Sequence, residues 1–490
     1  MGAQRNYLAL DLGAESGRGL LGTFDGRKLS LREIHRWPEA NVRLLGRLYW
    51  DLPSIFANLK EAVGRAASAA DNLRSIAIDT WGVDFGLLAG EYLVGNPVHY
   101  RDSRTDGIME KAFERLPRRE IFEATGLQFM QINTIFQLYT MVLENSPLLN
   151  AADTLLMMPS LLSFFFTGRK VDEQTAASTS QLLDPRTRQW TRPLFERLGI
   201  PFAIAPELIA PGEVIAGIRT DVADEIGVAA IPVVAVGSHD TASAVAAVPA
   251  EAGSWCYISC GTWSLMGIEA SEPIINNKVL EYNYTNEGGV GGTTRFLKNI
   301  MGLWLVQECR RQWEKDGSPL AYDQMAAMAA EAQPMRCFVD CNSDDFLAPG
   351  DMPGRIVGFC RKTGQQIPQD KGQIIRCALE SLALTYRRSL AVLEEITGGR
   401  IDTIHMVGGG TQNELLCQFA ADACNRPVVA GPVEATAIGN LLTQAVALGD
   451  LNAAEVREVV RSSFSPIHYK PQDTAKWDAA WERFQKICKT

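Results

Sequence analysis

The chain reads as an α/β protein built from two similar halves, and three observations carry that reading. Ile231 to Val236 (IPVVAV) is an uncharged run of β-branched and small apolar residues, the pattern of a strand buried on both faces of a parallel sheet. Residues 7–24 (YLALDLGAESGRGLLGTF) and Trp255 to Gly267 (WCYISCGTWSLMG) repeat one design of strand, glycine-hydroxyl turn and apolar return strand. The length of 490 residues exceeds a single core, at about 150 residues per domain, and fits two large domains or about three smaller ones.

Composition narrows the class. Apolar residues make up 46% of the chain, enough for a sizeable core, and a net charge of −10 offers no basic stripe to a nucleic acid. No uninterrupted apolar run reaches the ~18 residues of a membrane span, the first residues lack the regions of a signal peptide, and Asn6 breaks a myristoylation pattern. A cytoplasmic protein with no membrane partner is expected, with a monomer as the default. All ten cysteines follow position 255, the CxxxC pairs Cys256/Cys260 and Cys337/Cys341 lack zinc-knuckle spacing, and the five histidines are scattered. Reduced core thiols are the expectation rather than a metal site, with Cys360 and Cys377 able to approach one another.

The first hairpin turns at Gly13 to Gly17. Its tip carries Ala14, Glu15, Ser16, Gly17 and Arg18: backbone amides, a hydroxyl and a guanidinium fork suited to an anion. Asp11, at the strand end, stands where a carboxylate holds Mg²⁺ through water. An ordinary polar turn has the same composition. Ser54 to Ala70 is alanine-rich and predicts a helix; Leu73 to Ile78 predicts a strand that ends in Asp79-Thr80-Trp81-Gly82-Val83-Asp84-Phe85. There a Trp ring beside glycine and carboxylates suits a hydroxylated ligand or simple core packing. Tyr100 to Thr105 starts a helix, with Arg101 and Asp102 facing the same pocket. Residues 108–200 read as a largely helical insertion in which Leu161 to Phe166 is buried.

The strand Ile231 to Val236 delivers Gly237, Ser238, His239, Asp240 and Thr241 to the carboxyl end of a sheet, where α/β proteins gather ligands. Asp240 is the candidate reactive group; capping of the following helix explains the same residues, and both readings stand at this point. Beyond the second hairpin, Asn286 to Gly292 reads as a mobile glycine-rich loop. Phe296 to Trp313 predicts a helix presenting Asn299 and Gln307, and residues 336–359 read as irregular strands and turns. Gln373 to Thr397 predicts a long helix ending at Gly398-Gly399. The strand Ile404 to Val407 runs into Gly408-Gly409-Gly410-Thr411-Gln412-Asn413 and a helix Glu414 to Cys424. Three glycines leave room for a flat group such as adenine, or serve only a tight turn. Trp477, Trp481, Phe484 and Cys488 recur at helical spacing as packing. Neither GxxxxGK[ST] nor a GxGxxG fingerprint occurs, so P-loop and dinucleotide sites are disfavoured.

Taken together, the strings DTWGVDF, YRDSRT, SHDTAS, SCGTWSLMG, NEGG, LKNIMGLWL and VGGGTQN resemble the FGGY carbohydrate kinases of the actin-like ATPase superfamily, essentially end to end. The resemblance implies an α/β fold of two ribonuclease H-like (actin-like ATPase) domains flanking a central cleft. It divides the chain into a mainly sugar-binding domain over 1–245, a mainly ATP-binding domain over 246–455 and a helical extension over 456–490. ATP would meet Ala14, Glu15, Ser16, Gly17, Arg18, Thr262, Gln307 and Gly409. The sugar would meet Gly82, His239, Asp240, Thr241 and Asn299, with Asp240 as base, Asp11 toward Mg²⁺, and ATP and Mg²⁺ as cofactors. The implied reaction is transfer of the γ-phosphoryl group to the 1-hydroxyl of L-rhamnulose. The alternatives are another ketose such as L-fuculose or D-xylulose, or a noncatalytic ATP-binding switch.

Overall fold

The structure is a computed structural model that describes residues 4–13, 15–38 and 41–488. Its chain forms two compact units, each assembled from separate segments: Met1–Pro249 with Glu269–Leu297 and Ala435–Phe464, and Ala250–Ile268 with Lys298–Glu434 and Ser465–Thr490.

In the first unit, β1 (Arg5–Leu12), β2 (Ser16–Phe24) and β3 (Leu29–Pro38) form an antiparallel meander, with Asp11 opposite Arg18 and Leu12 opposite Gly17. The helix α1 (Leu52–Ala69) starts at Asp51, whose side chain accepts from the Ser54 amide, and buries Leu52, Ile55, Leu59, Ala62, Val63 and Ala66 along one face. It packs on β2 so closely that a Cβ at Gly19 would lie 2.9 Å from that of Ala62. The chain then enters β4 (Leu73–Thr80), parallel to β1 with Asp79 beside Asp11.

Residues 108–200 are mostly short helices, as expected, and Leu161–Phe166 lies in the helix Met158–Thr167. The antiparallel β5 (Val214–Gly217) closes the edge beside β6 (Pro232–Val234), giving the order β5-β6-β4-β1-β2-β3. The strand expected over Ile231–Val236 is thus shorter but pairs in parallel with β4 through Val233 and Ile76, as the apolar run predicts. It leads through Gly237 to the helix α2 (Asp240–Ala246).

The second unit repeats this plan. Its hairpin β7 (Trp255–Cys260) and β8 (Trp263–Ala270) is antiparallel, and β9 (Thr403–Val407) and β10 (Val428–Ala430) follow β7 in parallel. The antiparallel β11 (Ile467–Tyr469) ends the row. Both units therefore run from an antiparallel hairpin through two parallel strands to an antiparallel edge, and the repeat seen in the two hairpin sequences extends to these five strands.

Three local expectations are corrected. Phe296 begins no helix: Thr294–Met301 is a strand, and the helix starts at Trp304 (Trp304–Lys315) because Gly302 turns the chain against β8, where a Cβ would lie 2.6 Å from the Trp263 carbonyl carbon. Asn286 is no loop residue but lies in the strand Thr285–Gly288, fully buried, its amide donating to the Gly126 and Ile274 carbonyls. Met352–Lys362, inside the stretch read as irregular, is a helix capped by Asp351. The helix Lys371–Thr397 closes on Gly398 in the left-handed region, as expected.

Candidate functional site

In the first unit, three chain segments end side by side with a carboxylate each. Asp11 stands at the end of β1, Asp79 at its register position in β4, and a bridge between Thr80 and His239 brings Asp240 alongside. The Thr80 amide donates to the Ser238 carbonyl (2.9 Å), which fixes that turn to β4. Asp11 receives Arg18 Nη2 at 2.6 Å, the one cation paired directly with the trio among the described residues. Asp79 is fully buried. Its Oδ2 accepts from Asn440 Nδ2 (2.6 Å), Oδ1 has no partner, and burial with Asp11 next to it pushes its pKa well above the ordinary carboxylate range.

Asp240 is the first residue of α2. Its Oδ1 accepts from the amide and hydroxyl of Thr241, whereas Oδ2 has no hydrogen bond among the described residues. Desolvation raises the Asp240 pKa against the opposing pull of His239, and Asp11 adds to the rise, although 31% of the side chain is still exposed. The N-cap of α2 is His239, with no side-chain cap bond, so Asp240 is only in part a local acceptor for helix amides. The turn itself is held by Glu173, which accepts from the Ser238 amide (3.1 Å) and Thr175; Thr175 Oγ1 in turn accepts from the His239 amide (3.1 Å). Burial pushes Glu173 up to about 7.

The surrounding residues sort differently from the sequence reading. Trp81 is core: it stacks on Trp50 with ring centroids 4.0 Å apart. Asp84 is fully buried and accepts from Trp50 Nε1 (2.6 Å), Trp81 Nε1 (3.0 Å) and the Tyr100 amide (3.2 Å) at Oδ2 and from Gln137 Nε2 (3.2 Å) at Oδ1, so it ties these core groups together. Asp102 caps the turn Ser103–Thr105 and accepts from the Leu48 amide. Gly82 is required by packing, since a Cβ would lie 2.9 Å from Thr179 Cγ2. At the first hairpin tip, Ala14 lies outside the described residues; Glu15, Ser16 and Arg18 are half-buried, and Gly17 lies under Trp37, whose ring a Cβ would meet at 2.2 Å. Asp79, read in the sequence only as a carboxylate flanking Trp81, is instead the neighbour of Asp11. Its signal was available: a strand-end carboxylate in the parallel neighbour of the Asp11 strand.

In the second unit, Thr262 sits at the turn of the β7–β8 hairpin, and its carbonyl accepts from the Gly302 and Trp304 amides (both 3.1 Å), which ties the tip to the start of the helix Trp304–Lys315. Gln307 lies on the first turns of that helix, with a buried Oε1 that has no partner. Asn299 is on the preceding strand, not on the helix. The three glycines after β9 have three different reasons: Gly408 has φ +89°, Gly410 has room for no side chain beside Cys260 Sγ (2.3 Å from a Cβ), and Gly409 faces open space. An unobstructed backbone at Gly409 and an orphaned amide oxygen at Gln307 fit a nucleotide base and ribose, and the carboxylate trio, with one arginine, fits a hard divalent cation. Elsewhere in this unit the sulfurs of Cys337, Cys360 and Cys377 lie within 4.8 Å of one another, an approach of Cys360 to Cys377 that the sequence left open, joined by a third thiol.

A duplicated hairpin-and-parallel-strand unit, its first copy with carboxylates beside the strand ends, is an actin-like fold, and the chain belongs to the FGGY family of carbohydrate kinases: residues 6–247 match its N-terminal domain and residues 256–448 its C-terminal domain. It is 42% identical over 484 residues to a rhamnulokinase of Bacteroides thetaiotaomicron, covering 98% of this chain and 99% of that one. A rhamnulokinase of Oceanobacillus iheyensis is 38% identical over 468 residues, covering 95% and 98%. Among solved structures, gluconate kinase from Lactobacillus acidophilus superposes with a TM-score of 0.80 at 16% identity over 99% of this chain and 98% of that one, a likeness of fold. Among the described residues no helix is long and apolar enough to cross a membrane.

Proposed function

We propose that the chain is an ATP-dependent kinase of L-rhamnulose that yields L-rhamnulose 1-phosphate and ADP in the cytoplasm. The observation that carries the chemistry is Asp240, with Oδ1 committed to Thr241 and Oδ2 unbonded beside two further carboxylates. Oδ2 takes the proton of the sugar 1-hydroxyl as the oxygen attacks the γ-phosphorus, the bond from that phosphorus to the bridging oxygen breaks, and ADP leaves. A raised pKa brings a carboxylate closer to the working pH of a general base. His239, Thr241, Gly82 and Asn299 orient the sugar; Thr262, Gln307 and Gly409 with residues 14–18 receive ATP. Mg²⁺, when bound, would offset phosphate charge, and Asp11 is the residue to hold it through water.

The choice of sugar is supported by the full-length likeness to chains named rhamnulokinase. ADP release with Mg-ATP, measured against L-rhamnulose, L-fuculose, D-xylulose, L-ribulose and glycerol, tests it. The highest kcat/KM is expected for L-rhamnulose. Leadership by fuculose or xylulose would overturn the sugar while leaving the kinase, and ATP turnover indifferent to every sugar would overturn both.

A further inference from the structure

Arg295, in the strand Thr294–Met301, has a side chain with 0% exposure. Nε donates to the Gly288 carbonyl (2.8 Å), and Nη2 lies 2.9 Å from His239 Nδ1 and 3.1 Å from Glu287 Oε2. A guanidinium has only donors and keeps its charge, so an imidazole nitrogen 2.9 Å from it must present a lone pair. His239 Nδ1 is then unprotonated, and the ring proton sits on Nε2. That nitrogen lies 3.4 Å from Asp240 Oδ1, the same oxygen that takes the Thr241 amide and hydroxyl. Glu287 competes for the outcome: its Oε2 is 3.3 Å from His239 Nδ1. Acting alone, that carboxylate would draw the proton to Nδ1 and leave the lone pair of Nε2 against a second carboxylate.

We propose that Arg295 is a positioning residue for phosphoryl transfer. It holds His239 in the Nε2–H form, which turns an N–H rather than a lone pair toward Oδ1 of Asp240 (3.4 Å) and leaves Oδ2 to the substrate hydroxyl. The inference rests on the reading of Asp240 as base. Arg295 also pairs with the buried Glu287 carboxylate, so the tautomer of His239, which that ion pair alone would not set, is the readout that separates a positioning role from an architectural one.

The test is a long-range imidazole ¹⁵N–¹H spectrum of the full-length chain. It contains five histidines, and the one lost in His239→Gln assigns the signal. The expected wild-type pattern is neutral with the proton on Nε2. In Arg295→Met that pattern should be replaced by the Nδ1–H ring, facing Glu287, with kcat lower by about tenfold or more and KM for ATP unchanged. Arg295→Lys should restore the Nε2–H form. Should Arg295→Met fail to fold, Glu287→Gln removes the competing acceptor and must retain the Nε2–H form. A wild-type spectrum showing Nδ1–H or imidazolium, or an Arg295→Met protein with both tautomer and kcat unaltered, overturns the proposal. Normal turnover in Asp240→Asn would instead remove the base assignment and leave the tautomer result standing.

Discussion

Asp240 separates a catalytic carboxylate from a helix-terminal one. Asp240→Asn preserves the acceptor that Thr241 uses, since Asn serves the start of a helix about as well as Asp. It removes the unbonded carboxylate oxygen. Stability should therefore change little, while kcat falls roughly 10²–10⁴-fold, the range for loss of a positioned general base. ATP affinity, assigned to Thr262, Gln307 and Gly409, should hold. A folded variant with near-normal turnover would reduce Asp240 to a local cap. At this scale the sequence was informative where a polar residue follows an apolar run: Asp11 lies near the end of β1, and His239 and Asp240 follow β6 at the start of α2. It was uninformative about burial. Trp81 and Asp84 have the composition of a sugar pocket, yet Trp50, far earlier in the chain, covers one and bonds the other.

Two elements position the trio, and each makes a prediction. The helix Ala435–Ala447 crosses α2 so tightly that a Cβ on Gly439 would lie 1.8 Å from the Ser243 carbonyl oxygen, a backbone atom that cannot swing aside. Gly439→Ala must part the helices. A loss of about 1–3 kcal/mol is the usual scale of overpacking, read as a lower Tm, and kcat should fall too because α2 carries Asp240. An alanine variant with unaltered Tm would show that the helices have slack. The second element is the turn after β4, where burial pushes Asp84 up to about 6 against the hydrogen bonds from Trp50, Trp81 and Gln137. The folded value lies above the ordinary 3.8, so the folded state binds more protons than the unfolded between about pH 4 and 6. The contribution is full below about 4 and is lost as pH rises through 6. Compared with Asp84→Asn, the wild-type Tm should decline from pH 4 to 7; parallel curves would refute the raised value. Periodicity located most of these elements. It failed at Phe296–Met301, where a strand and a helix share one apolar run and only the close approach of Gly302 to β8 decides the break.

At the scale of the molecule, the two hairpin sequences foretold a duplicated topology, but a linear reading cannot express how each unit is assembled. The first unit recovers Ala435–Phe464 from far along the chain, and that helical return covers one face of its sheet. The helix Ala435–Ala447 buries Ile438, Leu441 and Leu442. Its Gln444 donates to the Leu8 carbonyl (3.0 Å) and accepts from Ser75 Oγ (2.7 Å), while Asn440 reaches Asp79. Leu441 lies over Gly22 of β2, where a Cβ would be 2.7 Å from its Cδ1. A fragment of residues 1–249 therefore lacks the cover of one sheet face, and buried polar groups of β1 and β4 lose their partners, at about 1–3 kcal/mol for each group left unsatisfied. With folded domains stable by only about 5–15 kcal/mol, such a fragment should not melt cooperatively and should bind a hydrophobic dye. The same fragment joined through a flexible linker to residues 269–297 and 435–464 should regain a cooperative transition by calorimetry. A cooperative melt of 1–249 alone would mean that the returning helix adds to the unit without being needed for its fold.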